Sequence, residues 1–148
     1  MQGKVVGLFL NKAKGEEPEA SQVLSLEVGQ GIHGDRHQGD GDRQVSITSS
    51  EVKKWMEKQK EKGLCFGKFK ENITIEGIDF ENLREGQWLN IGQVQVELTL
   101  CSKKCYASQC ELPYFKIHCA LIHNEVFAKV ITSGEIKLGD IVSVKTLR

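Results

Sequence analysis

Long apolar runs are missing from this sequence: nothing approaches the roughly 20 residues that a membrane-spanning helix requires. Charge of one sign is missing too. Twenty lysines and arginines balance twenty aspartates and glutamates, so no net field draws in nucleic acid or an anionic membrane. There is no Gly-x-x-x-x-Gly-Lys phosphate loop, no Gly-x-Gly-x-x-Gly after a strand and no Gly-x-Ser-x-Gly elbow. The common nucleotide-binding and hydrolase chemistries are therefore unsupported. No internal repeat, low-complexity tract or domain boundary interrupts the 148 residues, a length that suits one domain with a real core. Met1 to Leu10 has one cation, a short apolar run and no small-residue cleavage site, so it reads as a strand rather than an export signal. The expected location is the cytoplasm. There, five cysteines favour reduced thiols or metal ligands over a disulfide framework.

What is present is mostly strand. Lys4–Leu10 is rich in valine and leucine, and Gln22–Val28 alternates with a period of two. Gln44–Thr48, Glu71–Glu76, Gln87–Ile91, Val94–Leu100 and Ile141–Thr146 read likewise, with Gly92-Gln93 as a tight hairpin turn. Glu125–Ile131 fits either a strand or a short helix, and Gly134 and Gly139-Asp140 read as turns. One helix is clear. Thr48-Ser-Ser-Glu51 forms a capping box, and Val52, Trp55, Met56 and Gln59 share an apolar face as far as about Lys62. The expected fold class is mostly β (α+β), a compact barrel or sandwich with one amphipathic helix.

Two stretches carry chemistry. Gly29 to Gly41 holds five glycines in thirteen residues, too many for a helix or a regular strand. It also carries His33, Asp35, Arg36, His37 and Asp40, followed by Asp42 and Arg43. Such a loop can accept an anionic or heteroaromatic ligand, or it can be a polar connection held by its own Asp–Arg contacts. The second stretch runs from Cys101 to Cys119 and holds four of the five cysteines, at spacings C-x3-C, C-x4-C and C-x8-C. These are not the close pairs of structural zinc sites, although His118 or His123 could complete a tetrahedral set. Cys65 and Cys101 read as core residues. Cys105 differs, because Lys103 and Lys104 precede it in a loop just past a strand, and neighbouring cations favour the reactive thiolate. Cys110 and Cys119 fit either role. Asn72, opening a strand, could contact a ligand ring or hold a turn.

In order and spacing, these pieces resemble the MOSC family, named for the C-terminal domain of molybdenum-cofactor sulfurase. The likeness lies in Gly31-Ile-His-Gly-Asp-Arg-His37, Arg43-Gln-Val-Ser-Ile47, Phe69-Lys-Glu-Asn-Ile-Thr-Ile-Glu-Gly-Ile78, Gly86-Gln-Trp-Leu-Asn-Ile-Gly92, Lys104-Cys105, Val126-Phe-Ala-Lys-Val130, Gly134 and Leu138-Gly-Asp140. The closest look is to small stand-alone members. The resemblance implies a β-barrel-like fold, with Cys105 as the family's signature cysteine and a thiolate ligand for molybdenum. A metal held by a pterin dithiolene is soft enough to take that ligand. Asp35, His37, Arg43, Asn72 and Lys104 are then the expected contacts to the molybdenum cofactor. The implied activity is reduction of small N-hydroxylated compounds. The alternatives are a persulfide or cofactor carrier serving a sulfurase or molybdoenzyme, and a zinc-binding structural domain. Arg36 departs from the family pattern, standing where small residues are common, and so does Glu111–His118.

Overall fold

The structure is a computed structural model, described here for residues 2–13, 15–39, 41–58, 71–101 and 124–145. Chain order is β1 (Gln2–Leu10), β2 (Glu19–Ala20), β3 (Val23–Glu27), β4 (Gly31–Ile32), β5 (Val45–Ser49), α1 (Ser50–Lys58), β6 (Ile73–Glu76), a 3-10 turn at Phe80–Asn82, β7 (Trp88–Ile91), β8 (Val94–Leu100), β9 (Glu125–Val130), β10 (Gly134–Lys137) and β11 (Ile141–Lys145). The main sheet runs β11-β7-β8-β9-β5-β6-β1, and β1 pairs back onto β11. Seven strands thus close a barrel, which removes the unpaired edges of an open sheet. Of the sequence alternatives, it is the barrel that forms.

Inward-facing residues alternate as the pleat requires. Val45 and Ile47, Ile73 and Ile75, Leu89 and Ile91, Val94, Val96 and Leu98, and Val126, Ala128 and Val130 meet in one buried cluster. The second sheet, β10-β3-β4, adds Leu24, Leu26, Ile32 and Ile136 to the same core. In β3 the residues between them, Val23, Ser25 and Glu27, are exposed, as the period-two pattern demands.

Most strands fall where the sequence placed them, and Glu125–Val130 is a strand rather than a helix. Three local readings change. The helix cap is Ser49, whose hydroxyl accepts the Val52 amide at 3.1 Å, while Thr48 stays inside β5. Gly134 opens β10 instead of making a turn, pairing with Leu26. The glycine-rich loop contains a two-residue strand, because Gly31 and Ile32 pair with Glu27 and Leu26. The far end of the expected helix, from Gln59 to Gly63, lies outside the described residues.

All pairs in the main sheet are antiparallel except β5–β6, which run parallel with Ile47 opposite Ile73. A parallel pair needs a crossover connection, and α1 occupies it. The helix therefore packs over the outer faces of β5 and β6.

Two glycines of the loop separate backbone freedom from space. Gly29 and Gly31 both have positive φ, 78° and 89°, which side chains rarely adopt. A Cβ on Gly29 would meet nothing within 4 Å, whereas one on Gly31 would lie 2.9 Å from the Gln44 Cβ. Gln44 cannot give way, since its amide is bound to the Gly39 carbonyl and the Val130 amide, each at 3.0 Å. Gly29→Ala should destabilise by about 1 kcal/mol from φ alone. Gly31→Ala should cost roughly 2–4 kcal/mol by adding steric strain. Urea midpoints of the two variants check the difference.

Candidate functional site

The glycine-rich loop is tied to the barrel through one carboxylate. Asp35 is 4% exposed. Its Oδ1 accepts the Asn11 amide at 2.9 Å and the Asn72 Nδ2 at 3.0 Å, and its Oδ2 accepts the His37 amide at 3.0 Å. The His37 Nδ1 stands 3.5 Å from that same Oδ2. Asn72, 1% exposed, donates also to the Phe9 carbonyl at 3.2 Å and accepts the Ser46 amide at 3.0 Å. Asn11 reaches the Glu71 carbonyl at 3.2 Å. The end of β1, the loop, β5 and the start of β6 are thus joined in one buried polar network. Such a network is favourable only when its members are satisfied; Asp35 and Asn72 are bound at each of their polar side-chain atoms, while the Asn11 Oδ1 has no partner among the described residues.

Of the expected site residues, the structure brings together Asp35, His37 and Asn72. Arg43 lies elsewhere on the rim: its guanidinium stacks over the Phe127 ring, 5.1 Å from the centroid. Phe127 pairs with Leu100 across a bulge in β8 between Leu98 and Leu100. At the bulge, Thr99 Oγ1 donates to the Asp42 carbonyl. The chain segment before Arg43 is therefore pinned beside the point where β8 ends, one residue before Cys101. Lys104 and Cys105, with Cys65, Cys110 and Cys119, lie outside the described residues. The two ends of that stretch are placed, however. Cys101 follows β8, and Asn124 holds the end of β5, its carbonyl accepting the Ser49 amide at 3.2 Å and its Oδ1 the Ser49 hydroxyl at 3.1 Å.

Between those ends runs the outer face of β5, and it is polar and buried. Ser46 is 4% exposed and Thr48 0%, with Thr74 of β6 opposite Thr48 on one side and Glu125 of β9 opposite it on the other. Ser46 Oγ lies 3.4 Å from Glu125 Oε1. Among the described residues, the hydroxyls of Thr48, Ser50 and Thr74 and the Oδ1 of Asn11 are buried with no hydrogen-bond partner. Lys53 of α1 closes one margin, with its Nζ 2.6 Å from Glu71 and 4.6 Å from the centre of the Phe9 ring. Sequence reasoning missed this face. The alternation of Ser46 and Thr48 with Val45 and Ile47 marks an outward polar side, and nothing local says that it is covered.

Cys101 is half-buried against the core, and burial, with Glu85 adding, pushes its thiol up to about 11. Its reading as a packing residue holds. His33 lines a separate cleft of about 540 Å³ with Leu10, Leu24, Glu19, Ser21 and Ser25. Among the described residues, no three His, Cys, Asp or Glu side chains are grouped to hold a metal ion.

The barrel fold has counterparts among solved structures. YuaD from Bacillus subtilis superposes with a TM-score of 0.72 at 22% identity, over 100% of this chain and 98% of that one. YiiM from Geobacillus stearothermophilus superposes at 0.65 with 18% identity, over 97% and 75%. YiiM from Escherichia coli gives 0.63 with 16% identity, over 100% and 71%. At these identities the likeness is one of fold. No curated protein matches the sequence. The MOSC domain family model matches residues 33–143, most of the chain. The chain belongs to the MOSC domain family.

Two predictions follow from the buried groups. Asn72→Ala removes three bonds at once and strands the Ser46 amide, and should lower stability on the order of 2–4 kcal/mol. Thr48→Val removes a hydroxyl that has no partner and should be neutral or stabilising by about 1 kcal/mol. Denaturant titration distinguishes them. Because only the thiolate alkylates, Cys101 at pH 8 should present roughly a thousandth of its sulfur as reactive anion. Iodoacetamide labelling followed by peptide mass analysis should leave Cys101 largely unmodified until the pH nears 11.

Proposed function

We propose that this MOSC protein binds the molybdenum cofactor with the Cys105 thiolate as a ligand to the metal, and that it supports reduction of small N-hydroxylated compounds. The supporting observation is the convergence of the outer face of β5 with both ends of the stretch that carries Cys105. Cys101 leaves beside Arg43 and Phe127, and Asn124 returns onto Ser49.

The donors present suit such a cofactor. Its phosphate needs a cation, and no carboxylate among the described residues pairs with the exposed Arg43 guanidinium. A guanidinium over an aromatic face can still offer its N–H groups in pairs to an oxyanion. Lys104 would add a second cation beside the thiolate. The unpartnered hydroxyls of Thr48, Ser50 and Thr74 can each donate or accept, as a polar heterocycle demands. Asp35 and Asn72 contribute indirectly in this reading, since their polar atoms are already bound to the protein. They hold the loop while His37 and Arg43 make the contacts.

When bound, the cofactor supplies the two-electron chemistry, and the protein sets geometry and access. In the net reaction the N–O bond breaks, two electrons from a reduced electron-transfer protein and two protons enter, and an amine and water leave.

Protein made in a host that synthesises the cofactor should carry about one molybdenum per chain, and Cys105→Ala should lose most of it, as read by elemental analysis. Zinc without molybdenum would overturn the reading in favour of a structural metal site. Molybdenum held without turnover of an amidoxime, with a reductant supplied, would leave a cofactor carrier.

A further inference from the structure

We infer that Asp35 is a positioning residue for His37, holding its imidazole with Nδ1 inward and Nε2 outward as an acceptor for a ligand N–H or O–H group. The ligand class rests on the function proposed above; the ring's protonation pattern does not.

The carboxylate is not free to turn. Its Oδ1 is fixed by the Asn11 amide and the Asn72 side chain, at 2.9 and 3.0 Å. That leaves Oδ2 facing His37, whose backbone amide it accepts at 3.0 Å and whose ring Nδ1 lies 3.5 Å away. The Asp35 side chain is wholly buried, while that of His37 is 37% exposed. The imidazole therefore sets Nδ1 beside a buried carboxylate while part of its side chain reaches solvent.

A carboxylate only accepts, so a hydrogen bond closing that 3.5 Å gap requires the proton on Nδ1. In the neutral ring, Nε2 then keeps its lone pair. A free histidine side chain in water prefers the opposite tautomer, so this arrangement has to be imposed by the protein. The consequence sorts the ligand's chemistry. A lone pair cannot donate to an oxyanion, so a phosphate falls to Arg43, and His37 meets a donor edge such as a ring N–H or an N-hydroxyl.

The test is nitrogen-15 NMR of the full chain at alkaline pH, where histidine rings are neutral, with His37 assigned by the signals lost in His37→Gln. The expected result is the Nδ1–H tautomer for His37, reverting to Nε2–H in Asp35→Asn, whose amide would turn a donor toward the ring. An Nε2–H tautomer in the unmodified protein overturns the inference, whether or not Asp35→Asn folds. In molybdenum-loaded protein, benzamidoxime should shift the His37 Nε2 resonance by several ppm. A resonance that stays in place while others respond to benzamidoxime overturns the acceptor role. Protein that binds no molybdenum but shows the Nδ1–H tautomer sinks the proposed function alone and leaves the positioning of His37 standing.

Discussion

A buried carboxylate is costly unless every lone pair meets a donor, and much of this molecule's polar architecture answers that requirement for Asp35. Its donors come from the end of β1, from the loop itself and from the start of β6. Asn72 extends the requirement to β5 by exchanging bonds with Ser46, its side-chain oxygen taking the Ser46 amide and its own amide reaching the Ser46 carbonyl at 2.9 Å. The loop is consequently not an appendage. With five glycines it would otherwise sample many conformations, and Asp35 restricts it by anchoring at its centre.

The barrel was legible because local pattern is what a barrel uses. Strands that are buried on one face alternate, as in Val23–Glu27 and Val94–Leu100, and a Gly92-Gln93 turn needs a positive φ that glycine supplies. What local pattern does not report is what lies against the other face. Nothing local marks Ser46 and Thr48 as covered, yet they are buried alongside Val45 and Ile47. The parallel β5–β6 pairing was likewise hidden, since register between strands separated by a helix is a tertiary choice. Gly134 misled for the same reason: alone it signals a turn, and only the partnership with Leu26 makes it a strand.

At the site, the structure brings some of the expected residues together and leaves their roles to the proposal. Asp35, His37 and Asn72 were expected to share one surface, and they do meet. Their meeting is internal, though, with Asp35 and Asn72 facing each other. Asn11, which completes the clasp, had no distinguishing signal, because an asparagine after a strand is an ordinary turn residue. Its part is visible only once two segments 24 residues apart are in contact.

The outer face of β5 and β6 raises the sharper question of why it is built from hydroxyls at all. Under a helix, valine or isoleucine at Thr48 and Thr74 would pack as well and leave no polar atom stranded. Each stranded buried group costs about 1–3 kcal/mol, a noticeable share of the stability of a domain this size. Native proteins carry few such atoms. Here three hydroxyls gather within the span from Thr48 to Ser50 and its partner Thr74, between the two ends of the stretch that bears Cys105. Packing stability does not select that arrangement. The proposed cofactor, whose polar edges need many small donors and acceptors, would give those oxygens partners.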